Sequence, residues 1–253
     1  MRDAVMARRA LACLDLTDLG EDSDAEAAVA LCRRAQTGHG PTAAVCLWPR
    51  FVSTARTALA GTPVRIATVV NFPHGGEMLG PVRETVKQAL ADGADEIDMV
   101  LPYRAFAEGR ADVAARMVDA VREAAGGKLL KVILETGMLR EPRVIRRAAD
   151  LAIAEGADFI KTSTGKVEVN ATPEATGVML EAIAASGRTV GLKPAGGIRT
   201  LADAAAYITQ ADAVMGEGWA RPETFRIGAS GVLAALLAVL DGDAAPAASS
   251  AAY

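Results

Sequence analysis

The chain has 253 residues, of which 51% are hydrophobic, and its formal net charge is −4 at pH 7. This composition suffices for one large core, and the acidic balance argues against the basic surface that nucleic acid requires. The sequence contains neither a signal-peptide pattern nor the ~20 consecutive apolar residues of a membrane span. We therefore expect a cytoplasmic protein that binds neither nucleic acid nor membranes.

Short β-prone runs alternate with alanine-rich helical patterns along most of the chain. The predicted strands are residues 11–16, 42–48, 64–72, 96–102, 129–136, 158–164, 189–195 and 211–216. The predicted helices are residues 24–36, 81–93, 111–126, 142–156, 173–187, 201–210 and 230–240. This alternation predicts a parallel sheet, and eight such units favour an α/β fold, a single-domain (β/α)8 TIM barrel. An open doubly wound sheet is the alternative, although no GxGxxG motif follows the first strand.

The alternation of side chains within the predicted strands places charged residues on one face. In the strand at 96–102, Glu96 and Asp98 share one face, and the apolar residues between them share the other. The face of a barrel strand that meets the helices should be apolar, so the charged face points into the barrel. The same rule sends three lysines and four carboxylates to the interior: Asp15, Glu96, Asp98, Lys131, Glu135, Lys161 and Lys193.

These interior charges have two interpretations. An ion-pair network would hold the strands in register, but buried ion pairs stabilise weakly because desolvation offsets their attraction. The functional alternative rests on Lys161 and Lys193, which are expected near the ends of neighbouring strands, where barrels carry active sites. Mutual repulsion and burial both act to lower the pKa of an amine in such a pair. A neutral lysine can form a Schiff base with a carbonyl, so one lysine would be the nucleophile and the other an electrostatic tuner.

Glycine-rich segments near the last strands predict a phosphate site. Two segments follow Lys161 and Lys193, and a third, residues 226–231, is expected to follow the eighth strand and open a helix. Glycines let backbone N–H groups approach an anion, and a helix N-terminus favours negative charge. Each segment alone is also compatible with an ordinary turn or cap. The candidate residues are Thr164, Gly165, Lys166, Gly196, Gly197, Ser230 and Gly231.

The motifs ADFIKTSTGK (157–166) and GLKPAGGIRT (191–200) resemble those of the deoxyribose-phosphate aldolase family. The resemblance extends from about residue 14 to residue 237 and implies a TIM barrel. It also implies a class I aldolase, without cofactor or metal, that reversibly cleaves 2-deoxy-D-ribose 5-phosphate to D-glyceraldehyde 3-phosphate and acetaldehyde. Another Schiff-base aldolase with a longer substrate and a catalytically silent sugar-phosphate sensor are the alternatives. A homodimer is one candidate assembly.

The resemblance implies roles for particular residues. Lys161 is similar to the family's Schiff-base lysine, and Lys193 to the second lysine that lowers its pKa. Asp98 resembles the aspartate that transfers protons with Lys193 and a water. Asp15 and Cys46 match positions that line the substrate pocket, although an interior ion pair and a small core residue are their alternative roles.

The phosphate residues also have family counterparts. Thr164, Lys166 and Gly196, with Gly197 and Ser230, fall where the family binds a substrate hydroxyl or phosphate. Many relatives carry two serines at the phosphate helix, whereas the second position here is Gly231. One hydroxyl donor is therefore lost, which brings the preference for phosphorylated substrates into question.

The end of the chain carries one further candidate. The barrel domain is expected to span residues 1–241, followed by a flexible tail at 242–253 that ends in Tyr253. Some longer members of the resembling family also end in tyrosine, so a mobile tail could bring this phenol to the site as a proton carrier. A disordered terminal residue is the alternative. The three cysteines and two histidines show no metal-ligand spacing, so we expect no metal site.

Overall fold

A computed structural model describes residues 2–243 and shows eight parallel strands surrounded by helices. Strands that follow one another along the chain are neighbours in the sheet, and the last strand also lies beside the first. Backbone hydrogen bonds of 2.9 Å from Leu192 N to Thr224 O and from Gly228 N to Pro194 O join the last strand to the one before it, so the sheet closes. The strands are β1 (Leu14–Asp18), β2 (Ala44–Leu47), β3 (Arg65–Val70), β4 (Glu96–Val100), β5 (Leu129–Ile133), β6 (Phe159–Lys161), β7 (Gly191–Lys193) and β8 (Ile227–Ala229).

The helices pack around this barrel and confirm the predicted (β/α)8 architecture. Their ends carry the expected signals: Thr172 and Thr200 cap two of them through their side chains, and Gly187 ends one in the left-handed conformation. A short antiparallel hairpin pairs Gln36–Thr37 with Gly40–Pro41. The helices are α1 (Arg2–Ala12), α2 (Ala25–Arg34), α3 (Val52–Ala58), α4 (Leu79–Ala91), α5 (Tyr103–Ala107), α6 (Ala111–Ala125), α7 (Thr136–Leu139), α8 (Pro142–Ala154), α9 (Pro173–Ser186), α10 (Leu201–Met215) and α11 (Val232–Asp241).

The two faces of the barrel strands differ in chemistry. Outward-facing side chains such as Leu16, Ile97 and Val132 are fully buried against the helices and belong to one hydrophobic core. Burial of such a side chain contributes ~1.5–3 kcal/mol, which drives the helices onto the sheet. The inward faces of several strands carry the charged residues, as the alternation of side chains predicts.

The prediction for the eighth strand is wrong. Residues 211–216 do not form a strand, because residues up to Met215 continue α10. A short run of alanine, valine and methionine fits a buried helix as well as a strand. The length of the element separates the two, and here the run is the end of a helix of 15 residues. The true β8 is Ile227–Ala229, inside the segment that was expected to follow the strand. Only Ser230 and Gly231 of that segment lie beyond the strand.

The start of the chain also differs from the prediction. Residues 11 and 12 end α1, a helix that was not predicted, and β1 begins at Leu14. Within the described residues no helix is long and apolar enough to cross a membrane. The expected tail lies almost wholly outside the described residues, which end at position 243, and Tyr253 lies outside them too.

Candidate active site

Eight charged side chains are buried within residues 2–243, and all of them belong to the barrel interior or its ends. Four are cations and four are carboxylates, so their formal charges cancel. Strand alternation predicted seven of them and missed the arginine. The eight residues are Asp15, Glu96, Asp98, Lys131, Glu135, Lys161, Lys193 and Arg226.

Asp98 on β4 stands at the centre of this cluster. Its Oδ2 accepts hydrogen bonds from Nζ of Lys161 at 3.0 Å and from Nζ of Lys193 at 2.7 Å. Its Oδ1 accepts from Nζ of Lys131 at 2.8 Å. Lys161 and Lys193 lie directly opposite each other in the register of β6 and β7, so both project to the same face. The structure thus brings together the three residues expected to carry the chemistry.

Lys161 is the cation of this cluster whose pKa is lowered. Burial is the largest cause, and the neighbouring charge of Lys193 is the second, while the carboxylate of Asp98 opposes both. Only one carboxylate oxygen contacts its amine, at 3.0 Å. The amine of Lys161 is therefore easier to deprotonate than an ordinary lysine, as a Schiff-base nucleophile requires.

The pKa of Lys193 changes in the opposite direction. Burial opposes the charge of Lys193, but the carboxylates of Asp15 and Asp98 outweigh it and raise the pKa well above its usual value. These carboxylates lie 2.6 and 2.7 Å from its Nζ. Burial likewise favours protonation of Asp98, but the three lysines hold its pKa well below the usual range. Lys193 therefore stays charged next to Lys161, as the tuning role needs.

The amino ends of the strands close the interior with further ion pairs. Arg226, just before β8, donates to Oδ1 of Asp15 at 2.7 Å and to Oε1 of Glu96 at 2.8 Å. Lys131 Nζ lies 2.5 Å from Oε2 of Glu96. Sequence reasoning missed Arg226 because β8 was placed elsewhere. The predicted interior contained four carboxylates but only three lysines. With β8 correctly placed, Arg226 could have been recognised as the missing fourth cation.

A cavity of about 710 Å³ opens at these amino ends, beside Arg65, Asp95 and Leu129. Lys161 does not line this cavity, and two buried charges that do, Arg226 and Glu96, are paired with each other. Active sites of this architecture lie at the opposite, carboxyl end of the strands. The lysine pair therefore marks the candidate site better than cavity size does.

Small apolar side chains form the wall opposite the charges. Cys46 on β2 is fully buried within this wall, and burial raises the pKa of its thiol. Cys46 packs as a small hydrophobic residue near the charges of Lys193 and Asp98. That it lines a substrate pocket stays a prediction. The wall consists of Leu19, Ala44, Cys46, Ala67 and Val69, with Trp48 and Phe72 against it.

Five of the seven predicted phosphate residues line a separate small cavity of about 270 Å³. Gly196 and Gly197 adopt φ values of 83° and 82°, which glycine tolerates and other residues disfavour. Ser230 and Gly231 follow β8 directly and precede α11, whose first turn offers unpaired N–H groups. The lining residues include Gly165, Glu168, Asn170, Gly196, Gly197, Arg199, Ser230 and Gly231.

Thr164 and Lys166 occupy the segment between the lysine and this cavity. Thr164 is buried, and its hydroxyl donates to Oε2 of Glu135 at 2.5 Å. The backbone N–H of Lys166 donates to the same hydroxyl oxygen at 3.0 Å. The segment after β6 thus leads directly from the reactive amine towards the anion cavity.

Comparison with known proteins gives a consistent set of relatives. A family model described as DeoC/LacD family aldolase matches residues 9–237. A deoxyribose-phosphate aldolase of Agrobacterium fabrum is 55% identical over 234 residues, which cover 92% of this chain and 90% of that protein. The residues matched by the family model include every candidate site residue except Tyr253.

Two solved structures are similar in fold to this chain. A candidate deoxyribose-phosphate aldolase of Toxoplasma gondii ME49 has a TM-score of 0.87 at 27% identity, covering 95% of this chain and 96% of the other. A tetrameric deoxyribose phosphate aldolase of Aeropyrum pernix has a TM-score of 0.74 at 22% identity, over 94% and 97% of the two chains. The second likeness shows the fold alone.

Proposed function

This chain belongs to the DeoC/LacD family of aldolases, and from that premise we propose that it cleaves 2-deoxy-D-ribose 5-phosphate reversibly. The products are D-glyceraldehyde 3-phosphate and acetaldehyde, and the covalent intermediate is a Schiff base on Lys161. The observation that carries this proposal is the buried amine of Lys161, whose pKa is lowered beside a charged Lys193. A neutral amine of this kind attacks carbonyl carbons at neutral pH.

The reaction follows from the chemistry of an imine. Neutral Lys161 attacks C1 of the open-chain sugar, and loss of water gives a protonated imine. Acetaldehyde takes two carbons, so the C2–C3 bond breaks; its electrons move towards the imine nitrogen and leave an enamine. The C3 hydroxyl loses its proton and becomes the carbonyl of glyceraldehyde 3-phosphate. Protonation of the enamine at C2 and hydrolysis of the new imine then release acetaldehyde and Lys161.

Asp98 and Lys193 are proposed to manage these protons. Asp98 Oδ2 contacts both amines, at 3.0 and 2.7 Å, and therefore connects the nucleophile to a group that remains protonated. Lys193 can supply a proton when water leaves the carbinolamine, and its positive charge keeps the amine of Lys161 neutral at lower pH. Asp15 holds Lys193 from its other side at 2.6 Å.

The phosphate of the substrate is proposed to bind in the cavity of Gly196, Gly197 and Ser230. Backbone N–H groups and the start of α11 favour an anion there, and Lys166 adds a positive charge nearby. Binding the phosphate at one end positions the carbonyl at Lys161 at the other. No step of this reaction requires a cofactor.

Several expectations about the whole chain stay predictions. We propose that residues 1–241 form the catalytic domain, which is consistent with the end of α11 at Asp241. The tail at 242–253, the proton-carrying role of Tyr253, the homodimer and the cytoplasmic location stay predictions as well.

Borohydride trapping tests the proposed function directly. With acetaldehyde present, reduction of the imine should add about 28 Da as an ethyl group, and peptide mapping should place it on Lys161. Lys161→Ala should abolish both the adduct and sugar-phosphate cleavage. Lys87→Ala, which removes an exposed lysine, is the matched control and should retain both.

Two results would contradict the proposal. The absence of an adduct would favour the silent sensor, and an adduct that persists in Lys161→Ala would move the chemistry to another lysine. Cleavage assays with 2-deoxy-D-ribose 5-phosphate and with longer sugar phosphates separate this activity from that of another Schiff-base aldolase.

A further inference from the structure

Glu135, directly after β5, combines an unfavourable backbone with complete burial. Its φ and ψ are 58° and 59°, in the left-handed region that side chains other than glycine disfavour. Among residues 2–243 the other non-glycine residues with a positive φ are Asn71 and Arg140, and neither is buried. Residues held in such conformations concentrate at functional sites, where the surroundings maintain them. The mechanism above does not use Glu135.

Both oxygens of the Glu135 carboxylate accept hydrogen bonds from the same residue, Thr164. Its Oε2 accepts a hydrogen bond from the hydroxyl of Thr164 at 2.5 Å, and its Oε1 accepts one from the backbone N–H of Thr164 at 3.2 Å. Because both partners are donors, the arrangement suits an ionised carboxylate, which accepts at both oxygens. Burial raises the pKa of Glu135, while these two hydrogen bonds oppose the increase.

These contacts determine what the hydroxyl of Thr164 can still do. A threonine hydroxyl has one proton and can accept two hydrogen bonds. Its proton goes to Glu135, and one acceptor position receives the backbone N–H of Lys166 at 3.0 Å. One acceptor position remains. A substrate group that meets Thr164 must therefore donate a hydrogen bond, as a hydroxyl does and a phosphate or carbonyl oxygen does not.

The place of Thr164 in the chain indicates which hydroxyl that is. Thr164 lies three residues after Lys161 and immediately before Gly165, which lines the anion cavity. A substrate held by its C1 at the lysine and by its phosphate in the cavity presents the C3 and C4 hydroxyls between them. The C3 hydroxyl is next to the breaking bond, so the C4 hydroxyl is the one nearer the phosphate end.

We propose that Glu135 is a positioning residue that fixes the Thr164 hydroxyl as an acceptor for the C4 hydroxyl of the substrate. In the synthetic direction this is the 2-hydroxyl of the acceptor aldehyde, so Glu135 sets the preference for 2-hydroxyaldehydes. The inference rests on the proposed function and deepens it by naming a determinant of acceptor specificity. A site built to accept a hydroxyl discriminates against analogues that lack it.

Glu135→Gln removes this arrangement with little change in shape. An amide has one acceptor atom, so it can serve either the hydroxyl or the backbone N–H of Thr164, and its NH2 group opposes the other donor. If that NH2 group donates to Thr164, it takes the acceptor position that the substrate needs. Thr164→Val deletes the hydroxyl itself, and Thr164→Ser retains it.

The experiment compares two acceptors with acetaldehyde as donor: D-glyceraldehyde 3-phosphate and 3-oxopropyl phosphate, which lacks the 2-hydroxyl. The parent enzyme should prefer the first by roughly tenfold in kcat/KM, as one well-placed hydrogen bond allows. Glu135→Gln and Thr164→Val should lose most of this preference, with the change mainly in kcat/KM for the hydroxylated acceptor. Thr164→Ser should retain the preference, and Glu141→Gln, an exposed carboxylate nearby, is the matched control.

The outcomes separate this role from a purely structural one. If Glu135 only clamps the loop, Glu135→Gln lowers kcat/KM for both acceptors equally, and the proposal is wrong. It is also wrong if the parent enzyme shows no preference. If Glu135→Gln does not fold, the valine and serine variants of Thr164 decide the question. The borohydride adduct on Lys161 tests the proposed function separately. If the adduct forms and the acceptor preference does not change in Glu135→Gln, the role of Glu135 is wrong and the proposed function is not.

Discussion

The lysine cluster at Asp98 and the cavity at Gly196 differ in the kind of groups that form them. Around Asp98 every charge is buried and meets an opposite charge within 3.0 Å or less. Around Gly196 the lining is mostly glycines and small side chains. The first region lowers the pKa of a single amine, whereas the second is the proposed site for an anion.

The comparison shows why the two lysines differ although they are neighbours. Lys193 lies between two carboxylates and remains charged, while Lys161 shares one oxygen of Asp98 and feels the charge of Lys193. Burial alone would lower the pKa of both amines. The distribution of carboxylates therefore lowers the pKa of Lys161 and raises that of Lys193, which supports the proposal that Lys161 is the nucleophile.

The largest effect is expected for Lys193→Leu, which breaks the charge relation in the cluster. Without the neighbouring positive charge the pKa of Lys161 rises, so the acetaldehyde adduct should form only at higher pH. Loss of the proton donor should lower kcat by ~10²–10⁴. Trapping yield measured against pH and cleavage rate check both effects.

The matched control is Lys128→Leu, which removes an exposed lysine at the opposite end of the barrel. Its pH profile should coincide with that of the parent. An unchanged profile in Lys193→Leu would remove Lys193 from the tuning role. Because breaking a buried pair costs about 3–5 kcal/mol of stability, circular dichroism should first show that the variant is folded.

A smaller effect is expected for Gly196→Ala, which disturbs the anion cavity and leaves the lysines intact. The added Cβ would lie 2.7 Å from Cβ of Asn170, too close for a normal contact. The positive φ adds about 1–2 kcal/mol of strain. We expect KM for the sugar phosphate to rise roughly tenfold, with the borohydride adduct unchanged.

Gly197→Ala separates the clash from the backbone strain. Gly197 has nearly the same φ, but a Cβ there meets nothing within 4 Å. Its KM should therefore rise less than that of Gly196→Ala. Equal effects in the two variants would show that Asn170 does not matter to the cavity.

The smallest effect is expected for Gly231→Ser, which restores the hydroxyl that many relatives carry. Gly231 has φ and ψ of −84° and −22°, which serine adopts without strain. One added hydrogen bond should lower KM for the phosphorylated sugar by roughly two- to tenfold and leave KM for free 2-deoxyribose unchanged. Gly231→Ala adds the Cβ without the hydroxyl and should show no gain; a gain there would exclude a hydrogen bond as the cause.

Much of the fold and site was predictable because strand periodicity is a local property. Side chains of a strand alternate strictly, so the charged face of Glu96 and Asp98 could be assigned before any contact was known. The glycine-rich segments after Lys161 and Lys193 could be placed at the carboxyl ends of two strands, because they follow those strands directly in the chain. The eighth strand could not, because a three-residue strand at 227–229 has too little pattern to compete with the apolar end of α10.

The pattern of amino acids is enough to predict that charged residues enter the barrel and that Lys161 and Lys193 end neighbouring strands. The protonation of these lysines follows from the folded structure instead, because a pKa depends on distances to groups far away in the chain. The amine of Lys193 lies 2.6 Å from Asp15 and 2.7 Å from Asp98, and the three residues belong to three different strands. Arg226 and the contact between Glu135 and Thr164 became visible in the same way, since long-range packing brings those groups together and no local pattern records it.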